Sequence, residues 1–540
     1  NLILHTQVLN NLYNRKPISL LMEFLENITP RKYQEEIYKT CTEKNCLVVL
    51  PTGLGKTQIA LMLTIDRMKK YPREKILILA PTKPLAEQHL KSFKKNLPEL
   101  FGDIQLFTGT VKAKNRKKIW ETADIVFSTP QCIANDLKNK LYNLEDVSLL
   151  VEDEAHRCVK NYDYTFISQA YLLQAKHPRL VGLTASPGSD PRQIKEICKN
   201  LSIEEVELRT RNSPDVKEYL QELEFEKVEV DFPEELKKIK LKLAKIYDNY
   251  IDKLRMSNFL FGPDNKFALI ELQKKLASQI ARNYGSPQAY HAVSSTAQAI
   301  KIAHAMDLLE TQTLGSFHKY MKGLYTQAEK KQSKGVVRLV ANPEFNQAFA
   351  YTHEILTNGK EHPKVEKIVE IISREKNLNK NLKIIIFTQF RDSASLISKR
   401  INKIENIKSK VFVGQAKKEG VGLSQKEQKQ MIEEFSDGTI NILVATCIAE
   451  EGLDIPEVNA VIFYEPVSSA IRSIQRRGRT ARLQKGKLIM MITKGTRDEF
   501  AYYASRSREK KMETSIAKIK DELKRKGKFT HKDFIQKKLS

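Results

Sequence analysis

Short aliphatic runs, each followed by a longer stretch of helical periodicity, dominate the chain from about Cys46 to Glu207. Leu47–Leu50, Ile76–Ala80, Ile125–Ser128, Leu149–Val151 and Leu180–Leu183 are each bounded by Pro, Gly, Thr or charge. Near-continuous apolar strands that alternate with helices predict a parallel sheet covered on both faces. The texture returns from about Lys383, where Ile384–Phe387, Ile440–Ala445, Val458–Phe463 and Leu488–Ile492 predict a second doubly wound sheet. Between them, Leu236–Met256 and Phe267–Tyr284 place Leu, Ile and Ala at i, i+3, i+4 spacing with Lys between, and Ala289 to about Gln327 continues so. That is helical periodicity, broken at Gly262-Pro263 and Ser286-Pro287.

The pattern divides the chain into an α/β domain over 1–207, an all-helical insert over 208–361, a second α/β domain over 362–505 and a basic helical tail over 506–540. A length of 540 residues is too great for one hydrophobic core and agrees with several domains. The tail carries 13 Lys/Arg against 5 Asp/Glu; it reads equally as a phosphate-contacting helix or a solvated face.

Charge adds a partner to this picture. A formal net charge of +26 favours polyanions, of which nucleic acid is the commonest. No apolar run approaches the ~20 residues that span a bilayer, so no membrane partner is expected. The six cysteines are scattered without a C-x-x-C pair. They read as reduced residues of an intracellular protein, cytoplasmic or nucleoid, and not as a zinc or disulfide framework.

Directly after Leu47–Leu50 comes Pro51-Thr52-Gly53-Leu54-Gly55-Lys56-Thr57, then the helical Gln58–Met68. Strand, glycine-rich turn, Lys-Thr and helix are what a triphosphate site requires: backbone N–H groups converge on the β-phosphate and the helix N-terminus adds a favourable dipole. Lys56 would reach the β- and γ-phosphates and the Thr57 hydroxyl would ligate Mg²⁺, which makes ATP and Mg²⁺ the expected cofactors. Leu50 stands where the full pattern has its first Gly. The strand Leu149–Val151 ends in Glu152-Asp153-Glu154-Ala155-His156. Carboxylates there are costly unless they hold a cation or do acid–base work. Asp153 fits an Mg²⁺ contact through water, Glu154 fits the base that orients the attacking water, and His156 is expected to face the second domain and sense its position.

These residues resemble superfamily 2 helicases, and the resemblance extends over nearly the whole chain. Arg31-Lys32-Tyr33-Gln34 resembles the adenine-reading Q motif; Ala80 to Leu85, Thr108-Gly109 and Thr129-Pro130 resemble motif Ia, the Gly motif and motif Ib; Thr184-Ala185-Ser186 resembles motif III. Ile386 to Phe390 resembles motif IV, Ala445-Thr446 through Pro456 motif V, and Gln475 to Arg482 motif VI. The resemblance implies two RecA-like domains that close on ATP. Arg31, Gln34, Thr52 to Gln58 and Asp454 would hold the nucleotide, with catalysis by Lys56, Asp153, Glu154, Gln475, Arg479 and Arg482. Thr82, Thr108, Gly109, Thr129, Gln389 and Thr446 would line a nucleic-acid groove, and His156, Thr184 and Ser186 would couple the two events. Four arginines in the eight residues of motif VI support this independently, since they repel unless a polyanion gathers them.

The DEAH, Thr-Ala-Ser and Gln-Arg-x-Gly-Arg combination with a helical insert is similar to the branch that holds the archaeal Hef fork-processing helicase/nucleases and the Fanconi anaemia M-type translocases. It implies a DNA helicase or translocase on single-stranded, forked or branched DNA in repair. The alternative is a double-stranded-RNA-dependent ATPase of the RIG-I or Dicer type. The Glu-Arg-Lys core of an XPF-type nuclease does not occur in the sequence, so a helicase portion without nuclease activity is expected, from an archaeal source. Nine insert lysines (Lys238, Lys240, Lys242, Lys245, Lys274, Lys275, Lys301, Lys319 and Lys322) are candidate contacts to branched DNA.

Overall fold

The computed structural model describes residues 24–99, 101–220, 223–282, 286–379, 381–414, 422–446, 456–467 and 486–529. In the first domain the strands are β1 (Cys46–Val49), β2 (Lys75–Leu79), β3 (Ile104–Phe107), β4 (Ile125–Ser128), β5 (Val147–Asp153), β6 (Leu180–Thr184) and β7 (Glu205–Leu208). They form one parallel sheet in the order β3-β4-β2-β5-β6-β1-β7. Its helices are α1 (Lys32–Glu43), α2 (Lys56–Lys70), α3 (Lys83–Asn96), α4 (Ala113–Thr122), α5 (Pro130–Lys138), α6 (Asp163–Gln174), α7 (Pro191–Asn200) and the single turn α8 (Pro214–Lys217). Strands β1, β4 and β5 are buried throughout, which is why Cys46–Val49, Ile125–Phe127 and Leu149–Val151 read as unbroken apolar runs. The sheet has a core on each face, one with Tyr33, Ile59, Phe93 and Val151, the other with Leu47, Tyr164, Ile194 and Val206.

The next strand belongs elsewhere. β8 (Leu223–Val230) pairs in parallel with β13 (Gly486–Thr493) over its full length, Leu223 opposite Gly486 and Val230 opposite Thr493. With β9 (Ile384–Phe387), β10 (Ser409–Phe412), β11 (Ile442–Ala445) and β12 (Ala460–Phe463) they form a second parallel sheet, β10-β11-β9-β12-β13-β8. This corrects the expected boundary at 207/208. The first domain continues to about residue 220, because Val216 of α8 is buried in its core. The second sheet claims β8 before the helical insert begins. β8 escaped the sequence reading because it is an edge strand that carries Glu224, Glu226, Lys227 and Glu229, so it lacks an aliphatic run.

The insert is α9 (Glu234–Met256), α10 (Lys266–Ala281), α11 (Pro287–Thr311), α12 (Leu314–Glu329), α13 (Lys334–Val340) and α14 (Pro343–Thr357). Ile239, Leu243, Ile302, Leu309, Phe317 and Phe345 fill its main core. The side chains of Asn265, Ser286, Thr313 and Asn342 accept from N–H groups of the first turns of α10, α11, α12 and α14. The insert is bolted to the second sheet by polar contacts. Ser393 donates to Gln312 Oε1 at 2.9 Å, the Glu361 carboxylate accepts from Leu314 and Gly315 N–H at the start of α12, and the backbone N–H of Arg497 donates to Glu310 at 2.9 Å. Lys364, fully buried, pairs with Asp498 and donates to Thr311 O at 3.1 Å and Tyr464 O at 2.9 Å.

The second domain adds α15 (Pro363–Leu378), α16 (Arg391–Ile401) and α17 (Gln425–Ser436). A single helix, α18 (Arg497–Lys526), then runs through the expected 505/506 boundary. Near its start Tyr502 packs in the second sheet's core; further on, Met512, Ile516, Ile519 and Leu523 are buried in the first sheet's core. The basic tail is therefore a strut with one apolar face. Its i, i+4, i+7, i+11 stripe is hidden in the sequence among lysines.

Candidate active site

The phosphate loop is built where β1 gives way to α2. Gly53 and Gly55 take positive φ, +88° and +77°, a conformation only glycine adopts freely. A Cβ on Gly55 would come within 2.3 Å of Gln34 Nε2 and 2.7 Å of Gln58 Oε1, so a side chain there would be strained in backbone and would displace the two glutamines. Lys56 opens α2, and its Nζ donates to Leu50 O at 3.0 Å. The amine, the Thr57 hydroxyl and the N-terminal end of α2 are the groups that a metal–triphosphate requires.

The Q-motif residues brace this loop. Tyr33 Oη donates to Leu54 O at 2.8 Å; Gln34 Nε2 donates to Leu54 O at 3.1 Å and to Gln58 Oε1 at 2.6 Å. Gln34 Oε1 accepts from Arg31 N at 2.9 Å, satisfying the N–H that precedes α1. Gln34 is fully buried, and its amide is committed to loop geometry on both atoms. Arg31 lies over the Tyr219 ring at 5.2 Å and donates to Tyr33 Oη at 3.2 Å.

β5 delivers three carboxyls with different environments. Glu152 and Asp153 are buried, on opposite faces of the strand as its alternation requires. Burial pushes Glu152 up to about 8, against hydrogen bonds from Ser168 and Cys158 that lower it; it is a neutral acid behind the site. Burial also raises Asp153, but the hydrogen bond from His89, the Lys56 charge and the Glu154 N–H outweigh it and hold Asp153 below the usual carboxylate range. Asp153 is thus an ionised acceptor beside the phosphate loop. Glu154 has left-handed backbone at φ 52°, which turns the chain sharply off the strand. Its Oε2 makes no hydrogen bond and lies 3.3 Å from His156 Nδ1.

His156 makes contact inside the first domain. Its Nδ1 is 3.2 Å from Thr184 Oγ1. Thr184 Oγ1 donates to Ser186 O and accepts from Ser186 N, both at 3.1 Å. The Ser186 hydroxyl then lies 2.9 Å from Met512 Sδ on α18. Ser186, one of the three expected coupling residues, thus touches the strut.

Sheet order separates two kinds of chemistry. Lys56, Glu154 and Ser186 follow β1, β5 and β6, which are neighbours; Thr82, Thr108 and Thr129 follow β2, β3 and β4, the other half of the same edge. Thr82 Oγ1 has no hydrogen-bond partner, and Gly109 is exposed with open space around it. Thr129 opens α5 and donates to Cys132 Sγ at 3.3 Å. Thr108 is turned inward onto Thr110 Oγ1 at 2.8 Å, and Thr446 is equally buried. Gln389 is exposed after β9, adjacent to β11 and Thr446. Asp454, Gln475, Arg479 and Arg482 lie outside the described residues.

The described residues hold no group of three or more His, Cys, Asp or Glu able to bind a metal, and the described cysteines Cys41, Cys46, Cys132, Cys158 and Cys198 are free and buried. No described helix is long and apolar enough to cross a membrane.

Two parallel sheets, a phosphate loop on the first and a paired acidic turn four strand-ends away in sequence define a DEAD/DEAH-box helicase. The model of that family, DEAD/DEAH box helicase, matches residues 31–194; the helicase conserved C-terminal domain matches 363–484. A model of an ATP-dependent RNA helicase helical bundle matches 235–357. The crystal structure of the Pyrococcus furiosus Hef helicase domain superposes with a TM-score of 0.68 at 44% identity, over 88% of this chain and 98% of that one. The chain belongs to the Hef and Fanconi anaemia M type of superfamily 2 helicases. It is 36% identical over 490 residues to a Methanocaldococcus jannaschii protein named as an ATP-dependent RNA helicase, covering 90% of this chain and 60% of that one. It is 31% identical over 480 residues to the ATP-dependent DNA helicase fml1 of Schizosaccharomyces pombe, 87% of this chain and 57% of that one. Against the mouse Fanconi anemia group M protein homolog it is 31% identical over 526 residues, 91% of this chain and 26% of that one. The chain thus spans between about a quarter and three fifths of these relatives.

Proposed function

We propose that this chain is an ATP-dependent DNA helicase or translocase that unwinds and remodels forked and branched DNA. The observation that carries the reading is the division of one sheet edge into a nucleotide half and a threonine-lined half, with a cationic helical insert fixed to the other sheet. Lys56 and Thr57 hold the triphosphate, Asp153 accepts the Mg²⁺ hydration shell, and Glu154 takes a proton from the attacking water. Bound Mg²⁺ would neutralise phosphate charge there. Gln475, Arg479 and Arg482 from the second domain complete the site, and Arg31 and Asp454 contribute to holding the nucleotide. Thr82, Gly109, Thr129 and Gln389 contact the strand's phosphates, Thr108 and Thr446 supporting them from behind.

The insert lysines sort by their partners. Lys240 pairs with Glu310, Lys242 and Lys245 share Glu344, and Lys319 pairs with Asp392. Lys301 is half-buried, its charged form disfavoured by burial. Lys238, Lys274, Lys275 and Lys322 are exposed and make no ion pair among the described residues, so these four are the duplex contacts. The yeast relative's name supports DNA; the name of the M. jannaschii relative points to RNA. ATPase stimulation by single-stranded DNA, forked DNA, four-way junctions and duplex RNA decides between them: forks and junctions should stimulate most, and stimulation by duplex RNA alone would establish the RNA-dependent reading.

A further inference from the structure

The buried stripe of α3 consists of Ala86, His89, Phe93 and Asn96, and His89 is the only ring nitrogen pair in it. His89 Nε2 lies 2.8 Å from Asp153 Oδ2 and Nδ1 lies 3.3 Å from Thr57 Oγ1. One imidazole, 7% exposed, therefore spans the two side chains that the ATP-site reading assigns to the same cation. We propose that His89 is a positioning residue for Mg²⁺, fixing the rotamers of Thr57 and Asp153 and deciding which of their lone pairs face the metal. The inference rests on that reading of the site.

Proton bookkeeping supports a specific arrangement. A neutral imidazole has one N–H and one acceptor nitrogen. Asp153 can only accept, so the N–H sits on Nε2 and donates to Oδ2. Nδ1 is then the acceptor of a hydrogen bond from the Thr57 hydroxyl. A threonine held this way points its hydrogen at His89 and its oxygen lone pairs elsewhere, as a hard cation requires of a hydroxyl ligand. Asp153 Oδ1 accepts from Glu154 N–H at 2.9 Å, so both carboxylate oxygens are held and each retains a lone pair for the hydration shell. Partners that orient metal ligands in this manner are worth about 10–100-fold in metal affinity. A ring that merely packed α3 against β5 would have no metal-specific effect.

The test is a titration of the whole chain with a fluorescent, non-hydrolysable ATP analogue at rising Mg²⁺, repeated in EDTA. The wild type should bind more tightly as Mg²⁺ rises; if it does not, the ATP-site reading itself falls. Given that, His89→Ala should raise the Mg²⁺ midpoint about 10–100-fold with affinity in EDTA unchanged. His89→Gln keeps a nitrogen donor where Nε2 stood and loses the Thr57 contact, so its midpoint should be intermediate. It carries the same comparison should the alanine variant fail to fold. A wild-type Mg²⁺ midpoint in either variant, or equal weakening with and without Mg²⁺, overturns the proposal.

Discussion

The Ser186 hydroxyl sits 2.9 Å from the Met512 sulfur. This contact joins the segment that touches His156 to a helix rooted on the other sheet. Thr184 and Ser186 exchange hydrogen bonds through backbone and side chain, so a displacement of α18 has a short, hydrogen-bonded route to the acidic turn after β5.

Met512→Ala should cost about 2–5 kcal/mol, the usual loss for truncating a buried methionine, because its neighbours are core residues of the first sheet. Met512→Leu conserves volume and should cost less than about 1.5 kcal/mol. Urea denaturation measures both. If Ser186 relays motion of the strut, the leucine variant should also lose part of its nucleic-acid stimulation at unchanged basal ATPase.

Lys56→Ala should abolish hydrolysis while leaving DNA binding largely intact, measured by phosphate release and by anisotropy on a labelled fork. Glu154→Gln should keep ATP bound and lower turnover by about 10²–10⁴-fold, the usual contribution of a general base. Near-normal turnover in that variant would show that the base is elsewhere.

Glu152 gives stability a pH dependence of definite sign. Its folded-state pKa is raised to about 8 by burial, so between the ordinary carboxylate range and that value the folded state holds a proton that the unfolded state has released. Stability should therefore be full at pH 4–5 and fall by about 1.4 kcal/mol per unit towards pH 8. Glu152→Gln should remove that slope, read from urea midpoints across the range.

Lys364→Met should destabilise by about 3–5 kcal/mol, since it strands the buried Asp498 carboxylate. Lys364→Met with Asp498→Leu should recover most of the loss. A double-mutant cycle by thermal unfolding checks it.

Charge reversal at Lys274 and Lys275 should weaken fork binding more than single-strand binding and flatten the salt dependence of the former. The same change at Lys242 and Lys245 should do less, because these already neutralise Glu344.

Most of the sheet architecture was legible because buried parallel strands are aliphatic on both faces: β1, β2, β4, β6 and β9 stand out without help. β8 was not, since an edge strand that carries three glutamates and a lysine has no such signature. The loop, Asp153 and Glu154 were legible because their spacing is chemical. His89 was invisible for the opposite reason: its partners lie 32 and 64 residues away, and a lone histidine on a buried helix face reads as packing. The inward turn of Thr108 and Thr446 likewise follows from side-chain rotamers, which spacing does not encode.

The path of β8 has a mechanical corollary. The chain crosses to the second sheet before it begins the insert and returns to α15 of that sheet when the insert ends. The helical bundle is therefore a side arm mounted on the second sheet's half of the molecule, and no loading on it has to pass through the joint between the sheets. Among the described elements the strut α18 packs on both sheets, so the arm could be exchanged for another without rebuilding the nucleotide half.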